Sequence, residues 1–582
     1  MYPSRVSFQI SQRRKPENAS NMFPCDQPPC TNPSCFFCNM KDTNPVRRRS
    51  KIARLFREIP RTESKEHVLV LSGLWNIAMS QPDDPEFPSL GLFDCMAKLI
   101  HKSSRDKSWL LRDQNIFIPF YAAHIVGSYA MNRSDLAEKA ADSGVVPALM
   151  ELLRGKISWV EQRVAARALG HLASHDKSFA AVSLHEEEIV NLSMEIASNC
   201  FENVYKSFVG VEDSKRLKYH SDLLTRGLGG IERENRKAEE WGSQLQGWSL
   251  YLLNCFASRQ RSLDRICEES FLKRVRKMWG GVANSESPGG IRLIKTLCKT
   301  ESGRKRVANV REVIESLCDL SRSSDDWQEM ALDTLLILLK DPNVRFRVLE
   351  ISGSCLVDLA EDKALGDRIC QIVLQDYHKI KYGGLKLKSK ESQRAMEEIW
   401  EIKVERRKKE KLMAETELVE RTKMVKFLKK QGKKKFSKGD VQEAMEIYTK
   451  AIDLCPLDMT RDRTVLHSNR AQCCLLVKKA ESAISDATRA LCLSGATHPH
   501  GKSLWRRSQA YDMKGSARES LMDCLSFVDQ RLKHSKPPKI PYYAAQMITK
   551  QMNATWLFSA VESRSAESDG REKALAAKGT EG

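Results

Sequence analysis

No apolar run in this sequence approaches the roughly 20 residues needed to span a bilayer, so no transmembrane helix and no membrane partner are expected. Strict alternation of apolar and polar residues is almost missing, which excludes a sheet-based fold. There is no Gly-x-Ser-x-Gly elbow, no Gly-rich loop ending in Lys-Ser/Thr and no His-Glu-x-x-His helix. The arrangements that support acyl transfer, phosphoryl transfer or zinc hydrolysis are therefore lacking, and a non-enzymatic protein is expected. No RNA-binding aromatic motif accompanies the basic residues, and no U-box or RING cysteine–histidine spacing is visible. The first twenty residues lack the apolar core of a secretory signal. Arg5, Arg13, Arg14 and Lys15 leave an organelle-transit reading open, against which Glu17 and the cysteines beyond it stand.

What is present is positive charge and helix. The 582 residues carry a net charge of +20, which suits acidic partners: an acidic peptide tail, nucleic acid or an anionic surface. A hydrophobic content of 41% permits a core over most of the length, divided among two or more domains. The 17 cysteines are an odd number, most of them single within helical patterns, as at Cys255, Cys298 and Cys318. That usage fits reduced thiols in the cytoplasm, with the nucleus as the alternative compartment.

Residues 1–60, rich in Pro, Asn, Ser and Arg without periodicity, are expected to form a disordered basic tail. It contains Cys25, Cys30, Cys35 and Cys38. Four thiolates would hold one zinc tetrahedrally, and Cys35-x-x-Cys38 is a usual half-site; the looser first pair leaves an unliganded cluster as the alternative. From 65 to 395 the chain reads as helix after helix. The clearest stretch runs from Ala141 to His175, with Gly144 at a turn, Pro147 in the first turn of the next helix, and Leu149, Leu152 and Leu153 on one apolar face. This pattern resembles an armadillo repeat, and weaker copies follow to Leu359. Armadillo proteins that carry nuclear cargo use an Asn ladder on the third helix. Ser128, His171 and Cys255 fall at that position here, so an importin-like role is rejected and His171 reads as a packed helix histidine. Glu186, Glu187 and Glu188 read as acids at a helix N-terminus rather than metal ligands. Residues 396–424 alternate in charge without Gly or Pro, which predicts a long exposed helix as a linker.

Residues 425–557 carry a different pattern: Gly432, Gly439, Ala444, Tyr448, Ala451 and Pro456, then Ala483, Ala487 and Ala490, then Ala517, Leu521 and Cys524. The spacing resembles three tetratricopeptide (TPR) units, helical hairpins of about 34 residues, with 540–557 as a covering helix. Residues 558–582 are expected to be a disordered tail. The fold class is thus all-α: an armadillo-like α-solenoid followed by a three-repeat TPR superhelix, with disordered termini. The repeats are further similar to co-chaperone TPR domains, whose first helices clamp the acidic C-terminal tail of cytosolic heat-shock chaperones. Four of that family's five clamp residues match, at Lys429, Asn469, Lys502 and Arg506; Lys433 stands where the family has Asn. Lys and Arg supply charge-assisted donors to paired carboxylates, and Lys433 adds one more cation. The resemblance implies a co-chaperone adaptor holding a chaperone tail in the TPR groove and a protein client on the armadillo-like array. The alternative is a nuclear or RNA-associated scaffold binding nucleic acid through basic segments.

Overall fold

The computed structural model describes residues 35–279, 289–374, 377–384, 387–534 and 539–554. Among them every regular element is a helix and no strand occurs. The chain divides into two compact units, Met1–His185 and Glu186–Gly582.

The first unit contains α1 (Phe36–Met40), α2 (Pro45–Glu58), α3 (His67–Ser80), α4 (Leu92–Arg105), α5 (Ile118–Tyr129), α6 (Ser134–Asp142), α7 (Val145–Leu153) and α8 (Trp159–Ser174). Helices α6 to α8 are the armadillo-like triplet read from the sequence. Gly144 takes φ +75°, a left-handed conformation that L side chains resist, and so reverses the chain between α6 and α7. Pro147 lies in the first turn of α7, and Leu149, Leu152 and Leu153 are fully buried. Ser158 caps α8 by accepting from the Val160 N–H at 3.1 Å. Small residues let α5 and α8 cross closely: a Cβ at Gly127 would meet Ala168 Cα at 3.3 Å. His171 is buried and burial pushes its imidazole down to about 3, so it is a neutral packed histidine. The disorder expected over 1–60 does not hold for its described part, where α1 and α2 form and bury Ile52 and Phe56. Cys35 precedes α1 and Cys38 lies within it, whereas Cys25 and Cys30 lie outside the described residues.

The second unit opens with α9 (Glu186–Val204), whose first turn carries the three glutamates. Glu186 pairs with Arg261 at 2.6 Å and accepts from Ser262 Oγ at 2.5 Å. Arg226, Gly227, Gly229 and Gly230 all take positive φ and form the bend into α10 (Gly230–Ser258). Then come α11 (Arg311–Arg322), α12 (Gln328–Lys340), α13 (Arg345–Leu359) and α14 (Lys390–Trp400).

The expected long exposed linker helix is not what forms. After α14 one wider turn spans 401–405, a short helix covers Arg406–Lys411, and the helix is broken at 412–414. Met396 and Ile399 are fully buried. Arg406 bonds the Cys455 carbonyl, Arg406 and Glu410 pair at 2.9 Å, and Glu410 Oε2 accepts from the Leu457 N–H at 2.8 Å. The charges read as solvated instead satisfy carbonyl and N–H groups at the end of the first hairpin.

Three hairpins complete the unit: α15 (Glu415–Ser437) with α16 (Val441–Leu454), α17 (Thr460–Leu476) with α18 (Ala480–Ser494), and α19 (Gly501–Lys514) with α20 (Ala517–His534). Each helix packs on the next, and α21 (Tyr542–Ala554) covers α20. Ala444, Ala451, Ala483, Ala487 and Ala490 are fully buried at the helix crossings. No hairpin could bury its apolar face alone, which is why the array needs stacking and a cover.

Candidate binding groove on the first helices of the hairpins

The groove begins with a close approach. A Cβ at Gly432 would lie 2.7 Å from Tyr448 Cε1, so only glycine lets the Tyr448 ring seat against α15. The ring is 2% exposed, and the Asn469 side chain lies within hydrogen-bonding reach of its hydroxyl. Arg506 also bears on Tyr448 electrostatically. Asn469 of α17 and Arg506 of α19 are thereby brought together around one aromatic ring that α15 holds in place.

The five predicted residues lie on the three first helices: Lys429 and Lys433 on α15, Asn469 on α17, Lys502 and Arg506 on α19. Each pair four apart shares a helix face. Their partners differ. Lys429 Nζ pairs with Asp462 Oδ1 at 2.5 Å. Arg506 donates to Ser468 O and Ser468 Oγ, both at 2.6 Å, and to Gln472 Oε1 at 3.0 Å. Burial pulls the Arg506 guanidinium down, and the groups that oppose this are the Cys473 thiol and the Tyr448 hydroxyl, not a carboxylate. Lys433 and Lys502 are exposed and make no ion pair among the described residues.

Sequence reasoning missed Asp462, Ser468 and Gln472. Ser468 and Gln472 flank Asn469 four residues apart, so the spacing alone places them on one face of α17. Nothing in the sequence marks Asp462 as the partner of a lysine 33 positions earlier.

The opposite side of α17 is tied to the preceding helices. Arg463 donates to Glu361 Oε1 at 2.6 Å. His467 and Arg470 both bond Asp486 of α18, at 2.9 and 2.7 Å. Arg489 of α18 donates to Asp358 Oδ1 at 2.9 Å and also bonds Glu398. Arg322 of α11 pairs with Asp319, Asp358 and Glu481 at 3.1, 3.2 and 2.6 Å. Lys514 reaches Asp319 at 2.8 Å and Arg518 reaches Asp325 at 2.6 Å. Burial would raise the Glu361, Glu398 and Glu481 carboxyls, but their arginine partners outweigh it and hold all three below the usual glutamate value. The hairpins are therefore fastened to the array through α11, α13 and α14.

Comparison with known proteins agrees with this architecture. Residues 27–268 match the family model described as Plant ARM repeat. The chain is a helical-repeat protein. It is 34% identical over 96 residues to "Protein unc-45 homolog B" of Danio rerio, covering 16% of this chain and 10% of that protein. It is 41% identical over 100 residues to "Sperm-associated antigen 1A" of Danio rerio, covering 16% of this chain and 22% of that one. It is 32% identical over 95 residues to "Mitochondrial import receptor subunit TOM70" of Rattus norvegicus, covering 16% of this chain and 15% of the receptor subunit. The chain thus spans less than a quarter of the length of each of these relatives. A solved engineered protein overlaps 89% of this chain and 98% of its own at 12% identity, with a TM-score of 0.31, a likeness that shows nothing further. Among the described residues no helix is long and apolar enough to cross a membrane, and no group of three or more His, Cys, Asp or Glu is placed to hold a metal ion.

Proposed function

We propose that this chain is a non-catalytic protein-interaction adaptor whose hairpin groove holds a short acidic chain end, with the C-terminal tail of a cytosolic heat-shock chaperone as the ligand of that chemistry. The armadillo-like helices would carry a second protein, the client. The observation that carries the reading is Arg506: a part-buried guanidinium, oriented by Ser468 and Gln472, that has no carboxylate partner among the described residues. Burying such a cation is costly unless an anion meets it, and Lys502 on the same helix and Lys433 on α15 add exposed positive charge. Charge-assisted bonds from Arg, Lys and the Asn469 amide suit a peptide whose last residue bears two carboxylates. Similarity to an import receptor subunit fits a binding role more than a catalytic one.

The test is calorimetric titration of the full chain with a peptide ending in GluGluValAsp, free and C-terminally amidated. Saturable binding of the free acid, with marked loss on amidation, is expected. Equal and negligible heats from both would remove the chaperone-tail reading.

A further inference from the structure

Lys429 and Lys433 stand one turn apart on one face of α15, yet their surroundings differ. Lys429 is held by Asp462, with both side chains part-buried. Asp462 lies in the first turn of α17, where the helix dipole also favours a carboxylate. A ligand carboxylate at Lys429 would have to displace one tethered within the same molecule, and therefore present at high effective concentration. Lys433 has no such competitor: it is exposed and unpaired among the described residues. It also directly follows Gly432, against which the Tyr448 ring is seated, with the Asn469 side chain in reach of the Tyr448 hydroxyl.

We propose that Lys433, not Lys429, is the α15 lysine that holds the ligand carboxylate, and that Asp462 is a built-in occupant that withdraws Lys429 from the ligand. The inference rests on the groove reading above and deepens it. Lys433 in place of the expected Asn is then compensation: Asp462 cancels one positive charge at Lys429 and Lys433 restores one a turn further along. The anion site is shifted along α15 and favours a chain end whose carboxylates bridge Lys433 and Asn469 to Lys502 and Arg506.

Lys→Met substitutions keep the aliphatic stem and remove the charge, so Lys433→Met, Lys429→Met, Asp462→Asn and the Asp462→Asn/Lys429→Met pair are compared in the full chain. Each is titrated with the free-acid peptide ending in GluGluValAsp and checked for unchanged helix content by circular dichroism. Lys433→Met is expected to weaken binding about ten-fold or more, and several-fold more than Lys429→Met does. Asp462→Asn is expected to tighten binding and to make affinity newly sensitive to Lys429→Met, a coupling that the double-mutant cycle reads directly. A loss in Lys429→Met equal to or greater than that in Lys433→Met overturns the assignment, as does unchanged or weaker binding in a folded Asp462→Asn. No binding by the unaltered chain removes the groove reading itself, and the assignment with it.

Discussion

Lys502 is the cleanest probe of the groove, because it is exposed and has no structural bonds to lose. Lys502→Ala should weaken the acidic peptide by about 1.5–3 kcal/mol, the worth of a hydrogen bond to a charged group, with unfolding unaffected. Arg506→Ala should show a similar loss in titration and a lower melting temperature as well, since the three bonds from Arg506 to Ser468 and Gln472 are lost. Affinity unchanged from that of the unaltered chain in both variants would show that the groove is not the site. A second residue reports on the fold. Burial, with Asp319 nearby, pushes the Glu519 carboxyl up to about 7 from 4.5. A raised carboxyl pKa means that the folded chain holds a proton the unfolded chain has released, so the penalty grows as pH rises from 4.5 and is complete above 7. Glu519→Gln should therefore stabilise the chain at pH 8, by about 3 kcal/mol at most, and change little at pH 4.5. Urea unfolding at the two pH values checks the sign.

At the scale of the element, apolar and small-residue spacing was enough to locate the hairpins, because Gly432, Tyr448 and the buried alanines answer to local geometry that any sequence window contains. Gly144 and Pro147 mark α7 for the same reason. Charge spacing served less well. The run after α14 alternates in sign as a solvated helix would, yet Arg406 and Glu410 turn inward because the carbonyl of Cys455 and the N–H of Leu457 need partners. Where a charged side chain goes depends on backbone groups about fifty residues away, which periodicity does not encode. The Lys429–Asp462 pair was hidden in the same way. Gly432→Ala tests the packing that was legible. Its methyl would press on the Tyr448 ring at 2.7 Å, and relief requires the ring or α15 to shift. A cost of about 1–3 kcal/mol is expected in thermal unfolding, the range for overpacking a tight contact. The same variant should bind the acidic peptide more weakly, because Asn469 is set against that ring.

At the scale of the second unit, the hairpins and the array are joined by ion pairs between residues about a hundred or more positions apart, of which Arg463 with Glu361 is the plainest. Their side chains are 3% and 11% exposed, so removing either partner leaves the other charge without water or counter-ion. Arg463→Met should cost about 3–5 kcal/mol, whereas the paired Arg463→Met/Glu361→Met variant should recover most of it, since replacing a whole buried pair by apolar groups is often neutral. Acid probes the same joint without mutation. The folded Glu361, Glu398 and Glu481 carboxyls titrate below the unfolded value of 4.5. Their contribution is therefore complete above pH 4.5 and is lost as pH falls through the lower folded values, where protonation breaks the pairs with Arg463, Arg489 and Arg322. Limited proteolysis across this range should show cleavage rising around 401–414, the stretch between array and hairpins, before the hairpins are cut. Glu361→Met in the Arg463→Met background removes one titrating group and should make that onset less steep. An onset unchanged in the paired variant would mean that other carboxylates govern the joint.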